Sequence, residues 1–259
     1  MRNIYLIFSK ELKSYFTSPI AYVVITIFLI ITGYFFYNIL ATFSLISFQA
    51  ETNPIIARQY NLLNINESVV RPLFGNISMI MLLMMPLLTM RLFAEEKKTG
   101  TIELLLTYPV KDVEVLVGKF LACVAVFGVM LLSTITYPVL LMVLGEPEIG
   151  PIITGYLGLF LLGVAFISLG IFTSSLTENQ IISATIAFGA LLIFWLLSYS
   201  MLFAPPELGR LIAYISMTEH LESLAKGVLD TEDILYYINF TLLFLFLTLR
   251  SIESRRWRG

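Results

Sequence analysis

"RLFAEEKKTGTIELLLTYPV", residues 91–110, sets a dense island of charge between two long apolar runs. Residues 75–90 before it and 120–144 after it contain no Asp, Glu, Lys or Arg. A chain that alternates hydrocarbon with charged islands has the pattern of a membrane protein whose islands face water. Composition agrees. The 259 residues are 58% hydrophobic and 13% charged, against roughly 25% charged in soluble domains. Mean hydropathy is +0.88. A soluble helical protein would need a polar face along each helix, which these runs lack.

Six charge-free runs recur, at about 20–43, 75–90, 120–144, 151–177, 181–204 and 234–249. A helix rises ~1.5 Å per residue, so runs of this order cross a ~30 Å hydrocarbon core. Interfacial neighbours extend three of them, to 75–94, 116–144 and 234–250. The predicted fold is all-α integral membrane: one domain over 1–259 with six transmembrane helices, external segments at 44–74 and 205–233, and an inner region at 95–115. Strands are excluded because the runs do not alternate and an open sheet leaves its backbone unsatisfied in lipid. The first run is too long for a cleavable signal and reads as a retained anchor.

Basic residues orient the spans. With both termini in the cytoplasm, twelve Lys and Arg fall inside and four outside (Arg58, Arg71, Arg210, Lys226). That asymmetry follows the positive-inside rule, so the island at 91–110 is expected to face the cytoplasm. At 100° per residue, Ile4, Ile7, Phe8, Leu12 and Tyr15 share one face of residues 2–16, with Arg2, Lys10 and Lys13 opposite. This predicts an amphipathic helix lying on anionic lipid, although Glu11 and Leu6 break its pattern. In 205–233, Leu208, Leu211, Ile212 and Ile215 recur at helical spacing and predict surface helices covering the span ends. Glu207, Glu219, Glu222, Asp230, Glu232 and Asp233 add a loose acidic set there.

Residues 91–119 hold five basic and five acidic side chains, so their purpose is not simply positive charge. Gly100 interrupts the helix leaving the second span. "TIELLLT" then gives about two turns with Ile102, Leu105 and Leu106 on one face. Tyr108-Pro109 stops it, and Asp112 is the expected N-cap of the third span. So short a helix is marginal in water alone. Docking into a partner protein or lying on the membrane would each give its apolar face a surface.

Catalytic signals are missing. Gly118-Lys119 lacks the rest of a phosphate-binding loop, and single Cys123 and His220 supply neither a metal cluster nor a triad. A net charge of −2 gives no support for nucleic-acid binding. The chain is expected to be non-catalytic. The spans carry no mid-depth charge, only hydroxyls such as Thr26, Thr32, Ser133, Thr134, Thr136, Ser168, Ser183, Thr185 and Ser198. That favours amphiphilic or lipid-linked cargo, or force transmission, over an ion route. Pro86 and Pro138 are candidate kinks, and Gly155, Gly158 and Gly163 suit close helix packing.

"PLLTMRLFAEEKKTGTIELLLTYPVKDVEVLVGKFLA", residues 86–122, closely resembles the signature region of ABC-2-type transporter permeases. The branch it is most similar to contains the gliding-motility-associated permease and the permease of nitrous oxide reductase maturation. Weaker likeness at "KELKSYFTSPIAY" and "HLESLAKGVLDTEDILYYINF" extends it along the chain. The resemblance implies an interfacial helix first, six spans, and a cytoplasmic coupling helix at Thr101–Thr107. It also implies a permease dimer carrying two cytoplasmic ATP-binding subunits in a bacterial or archaeal cytoplasmic membrane. A periplasmic or membrane auxiliary protein is a further possible partner. ATP and Mg²⁺ would sit on the ATPase, with no cofactor on this chain. Docking would fall to Arg91, Glu95, Glu96, Gly100, Thr101, Ile102, Glu103, Leu105, Leu106 and Pro109, with a second contact at Glu178. A secondary transporter would show inverted repeats and broken midplane helices; no internal repeat is visible. A membrane scaffold without an ATPase leaves the 86–122 pattern unexplained.

Overall fold

The computed structural model describes residues 2–52, 64–101, 110–200 and 205–256, all of them helix, turn or short connection, with no strand among them. Helix α1 (Arg2–Thr17) ends at Ser18, and α2 (Pro19–Thr52) begins with proline, whose missing N–H costs nothing at a helix start. A wide π-type turn over Asn66–Val70 runs into α3 (Arg71–Thr89), followed by α4 (Arg91–Lys98). The third span is α5 (Asp112–Ser133) with α6 (Thr136–Leu144). Then come α7 (Ile149–Leu176), α8 (Gln180–Ser200), α9 (Pro206–Ile215), α10 (Met217–Ala225) and α11 (Thr231–Arg256). Among the described residues, six helical stretches are long and apolar enough to cross a membrane: Pro19–Ala50, Asn66–Lys98, Asp112–Leu144, Ile149–Leu176, Gln180–Ser198 and Thr231–Ser254.

The number of spans is the expected one, but the helices overrun their expected ends. α2 reaches Thr52, not residue 43, and the second span's helix begins at Asn66, not residue 75. Residues 44–52 and 66–74 are therefore helical where an external segment was expected. Charge ends an apolar run but not a helix. Arg71, which closes the run in the sequence, is paired with Glu222 and lets the helix pass through.

α7 is the centre of the bundle and contacts α3, α4, α5, α8, α10 and α11. Its glycines make this possible. A β-carbon at Gly155 would overlap the Phe74 ring, one at Gly163 the Phe127 ring, and one at Gly170 the Thr89 side chain. At Gly158 it would lie 2.9 Å from Leu221 Cδ1. Where lipid tails and side chains are equally apolar, such close approach is the main source of helix–helix attraction. Of the span hydroxyls, Thr32, Ser133, Ser168, Thr185 and Ser198 each donate to a carbonyl one turn back in their own helix.

Both interior prolines stand near breaks. Pro138 leaves the Thr134 carbonyl without its helical donor. That carbonyl accepts instead the Tyr137 N–H at 3.0 Å and the Tyr156 hydroxyl at 2.8 Å, and the third span turns between Ser133 and Thr136. Beyond the turn, Tyr137 stacks on Phe36 (ring centroids 4.9 Å apart) and its hydroxyl lies 2.9 Å from Thr32 Oγ1. The second span turns at Met90, four residues after Pro86.

Helices α9 and α10 cover one end of the bundle. Their joint is the buried His220, with Nδ1 2.6 Å from Asp233 Oδ1 on α11 and Nε2 3.2 Å from the Tyr214 carbonyl on α9. Tyr236 stacks on the imidazole with centroids 4.1 Å apart. The opposite end, where α1, α4 and the start of α5 meet, carries the charged island.

Candidate functional site

At this charged end α1 lies along the first turns of α5. Gly118 sets the distance: a β-carbon there would sit 2.8 Å from Ile7 Cγ2 and 3.2 Å from the Ile4 carbonyl. Asn3 Nδ2 donates to Glu114 Oε2 at 3.1 Å, and the same oxygen accepts the Lys111 N–H at 3.2 Å. The cap of α5 is therefore Lys111, closed by Glu114 reaching back from the third helical position. Asp112, the expected N-cap, is instead the first helical residue.

One turn further on is Lys119, whose side chain is 1% exposed. Its ammonium lies 2.9 Å from Glu11 Oε1 and 2.8 Å from Glu96 Oε1, with the Phe93 ring centroid 5.4 Å away. Exposed Lys10 stands 3.6 Å from Glu96 and 3.7 Å from Glu11 on the outer side. An ammonium removed from water costs several kcal/mol unless well paired. Two carboxylates from two other helices supply the pairing, so α1, α4 and α5 are tied through one buried nitrogen. This also accounts for Glu11 on the otherwise apolar face of α1.

The turn between α3 and α4 is held from α7. Ser174 Oγ accepts the Phe93 and Ala94 N–H groups at 3.0 and 3.1 Å and donates to the Met90 carbonyl at 2.8 Å. It satisfies at once the free donors that open α4 and an acceptor at the end of α3. The Ser175 carbonyl accepts Lys97 Nζ and, at 3.2 Å, the Ser251 hydroxyl of α11. The Arg91 guanidinium lies 4.3 Å over the Tyr15 ring. Tyr15 Oη donates to the Leu88 carbonyl at 2.7 Å. Burial pushes the Tyr15 phenol well above its usual range, so it stays a donor.

The residues singled out in the sequence part company here. Glu95 is exposed, whereas Glu96, about 100° further round α4, turns inward to Lys119. Arg91 packs against α1. Gly100 takes φ +70°, the left-handed conformation that ends a helix at little cost only for glycine. Thr101 is exposed, its hydroxyl 2.9 Å from that of Thr99. Ile102, Glu103, Leu105, Leu106 and Pro109 lie outside the described residues, as does most of the expected coupling helix. Glu178 is exposed in the turn after α7, three residues beyond Ser175 and so at the same end. The residues that bind this end together, Glu11, Lys119 and Ser174, carried only indirect signals. Two were charges on apolar faces and one a hydroxyl at the end of a span.

Among the described residues no group of three His, Cys, Asp or Glu is placed to hold a metal ion. A search of curated proteins gives no match. The family model described as "ABC-2 family transporter protein" matches residues 5–252, nearly the whole length. With six apolar spans and a charged hub at one end of the bundle, the chain belongs to the ABC-2 transporter family.

Proposed function

We propose that this chain is the permease subunit of an ABC exporter, driven by a separate cytoplasmic ATPase that grips residues 101–107. The charged end faces the cytoplasm in this reading, both termini lie inside, and the membrane is a bacterial or archaeal cytoplasmic membrane. Two permeases and two ATPases make the working unit, with ATP and Mg²⁺ on the ATPases. The reading is carried by the Lys119 hub. Residues 102–109 connect Thr101 to Val110 in the chain and so join two arms that Glu96 and Lys119 lock together. A push on that segment therefore reaches the second and third spans jointly, and α1 with them. Nucleotide can drive such a change only by favouring one state, by about 5.5 kcal/mol to move a population from 1:99 to 99:1.

Exposed Glu95 and the apolar face of Leu105 are the docking groups in this proposal, and Glu178 adds a second contact. Glu96 belongs to the hub. Glu95→Lys and Leu105→Asp, each co-expressed with the co-encoded ATPase, should abolish ATPase co-purification while leaving membrane insertion intact. Wild-type recovery of the ATPase with both variants would overturn the docking assignment. Whether the cargo is moved or force is passed to a periplasmic partner follows from which auxiliary protein is co-encoded.

A further inference from the structure

We propose that a cavity at the capped end, away from the Lys119 hub, binds a cationic amphiphile, a single apolar chain ending in an amine or quaternary ammonium. The cavity lies between α3, α8 and α10 and holds about 900 Å³, within the ~300–1,000 Å³ typical of small-molecule sites. Its wall is graded. Toward the cap stand Glu67, Arg71, Glu219 and Glu222, and deeper along α3 and α8 come Met79 and Trp195.

The charge at the mouth selects the head group. Glu67, Glu219 and Glu222 line it with Arg71. Arg71 is paired with Glu222, which Lys226 also holds from outside the wall at 3.1 Å. Glu219 makes no ion pair among the described residues. A half-buried carboxylate beside apolar walls focuses a negative potential into the space it faces. An ammonium there gains that attraction while its tail lies along Met79 and Trp195. An anionic head would meet Glu219 instead. Gly75 leaves the wall open, since a β-carbon there would meet no atom within 4 Å.

The chain has two tryptophans, Trp195 and Trp257, so a Trp257→Phe variant reports on the cavity alone. In neutral phosphatidylcholine nanodiscs, dodecyltrimethylammonium should shift Trp195 emission saturably. Dodecyl sulfate, and tetramethylammonium without a tail, should each bind at least about tenfold more weakly. Glu219→Gln should weaken binding of the cationic probe by about fivefold or more. Gly75→Leu, which fills the space without touching a carboxylate, should abolish the response while the protein keeps its thermal unfolding profile. A non-saturating response, an equal response to dodecyl sulfate, or unchanged binding in both variants would overturn the assignment.

Discussion

Substituting Lys119 by Met, which keeps an unbranched side chain one atom shorter and removes its charge, tests the hub directly. Glu11 and Glu96 would then face each other with side chains only 11% and 13% exposed and no buried cation between them. Removing one partner of a buried ion pair costs about 3–5 kcal/mol. Lys10 stays within 3.7 Å of Glu11, but an exposed ammonium returns only about 0–1 kcal/mol. The net expectation is about 3 kcal/mol against the docked position of α1, or roughly a hundredfold at 1.4 kcal/mol per decade. Hydrogen exchange followed by mass spectrometry over residues 2–17 reads this opening locally. Protection should fall about a hundredfold in Lys119→Met and recover most of that in the triple variant Lys119→Met, Glu11→Gln, Glu96→Gln, where no charge is left buried. If the single variant keeps wild-type protection, or the triple variant is as exposed as the single one, the triad does not hold α1 in place.

Ser174→Ala should leave the Phe93 and Ala94 N–H groups without their acceptor and weaken the start of α4 by about 1–2 kcal/mol, read as faster exchange confined to residues 91–98. Gly163→Ala should lower thermal stability through overlap with Phe127, at a cost of about 1–3 kcal/mol. Gly189→Ala, which meets nothing within 4 Å, should be neutral or stabilising by up to about 1 kcal/mol. For orientation, single cysteines at Thr101 and Ser254 in a Cys123→Ala background should label from the cytoplasmic side and one at Thr52 from the outside. The reverse pattern would invert the proposed topology.

The spans were legible because lipid demands long uncharged runs, and a run of residues such as 151–177 has no other use. Their ends were less so, since α2 continues through the uncharged residues 44–50 and α3 through a paired Arg71. At the hub, the sequence exposed the anomaly but not its partner. Glu11 stood out on an apolar face, yet its cation lies 108 residues away, and only the packing of α1 at Gly118 brings them together. Adjacent Glu95 and Glu96 read as one acidic pair until helical geometry sent one outward and the other in. Asp112 reads as the cap by residue type, but the extended residue that opens α5 is Lys111, one position earlier, with Glu114 reaching back to it. Asn3 then joins Glu114 from a different helix.

The bend in the third span has a mechanical consequence. A proline break can act as a swivel, but here the Thr134 oxygen is held by both the Tyr137 N–H and the Tyr156 phenol, and the Tyr137 ring pins the far segment to Phe36 and Thr32. α5 and α6 should therefore tilt as one crooked bar, carrying displacement at Lys119 through to the far leaflet with little lost to flexing. Tyr156→Phe would remove the tie from α7 and leave the bend held by Tyr137 alone.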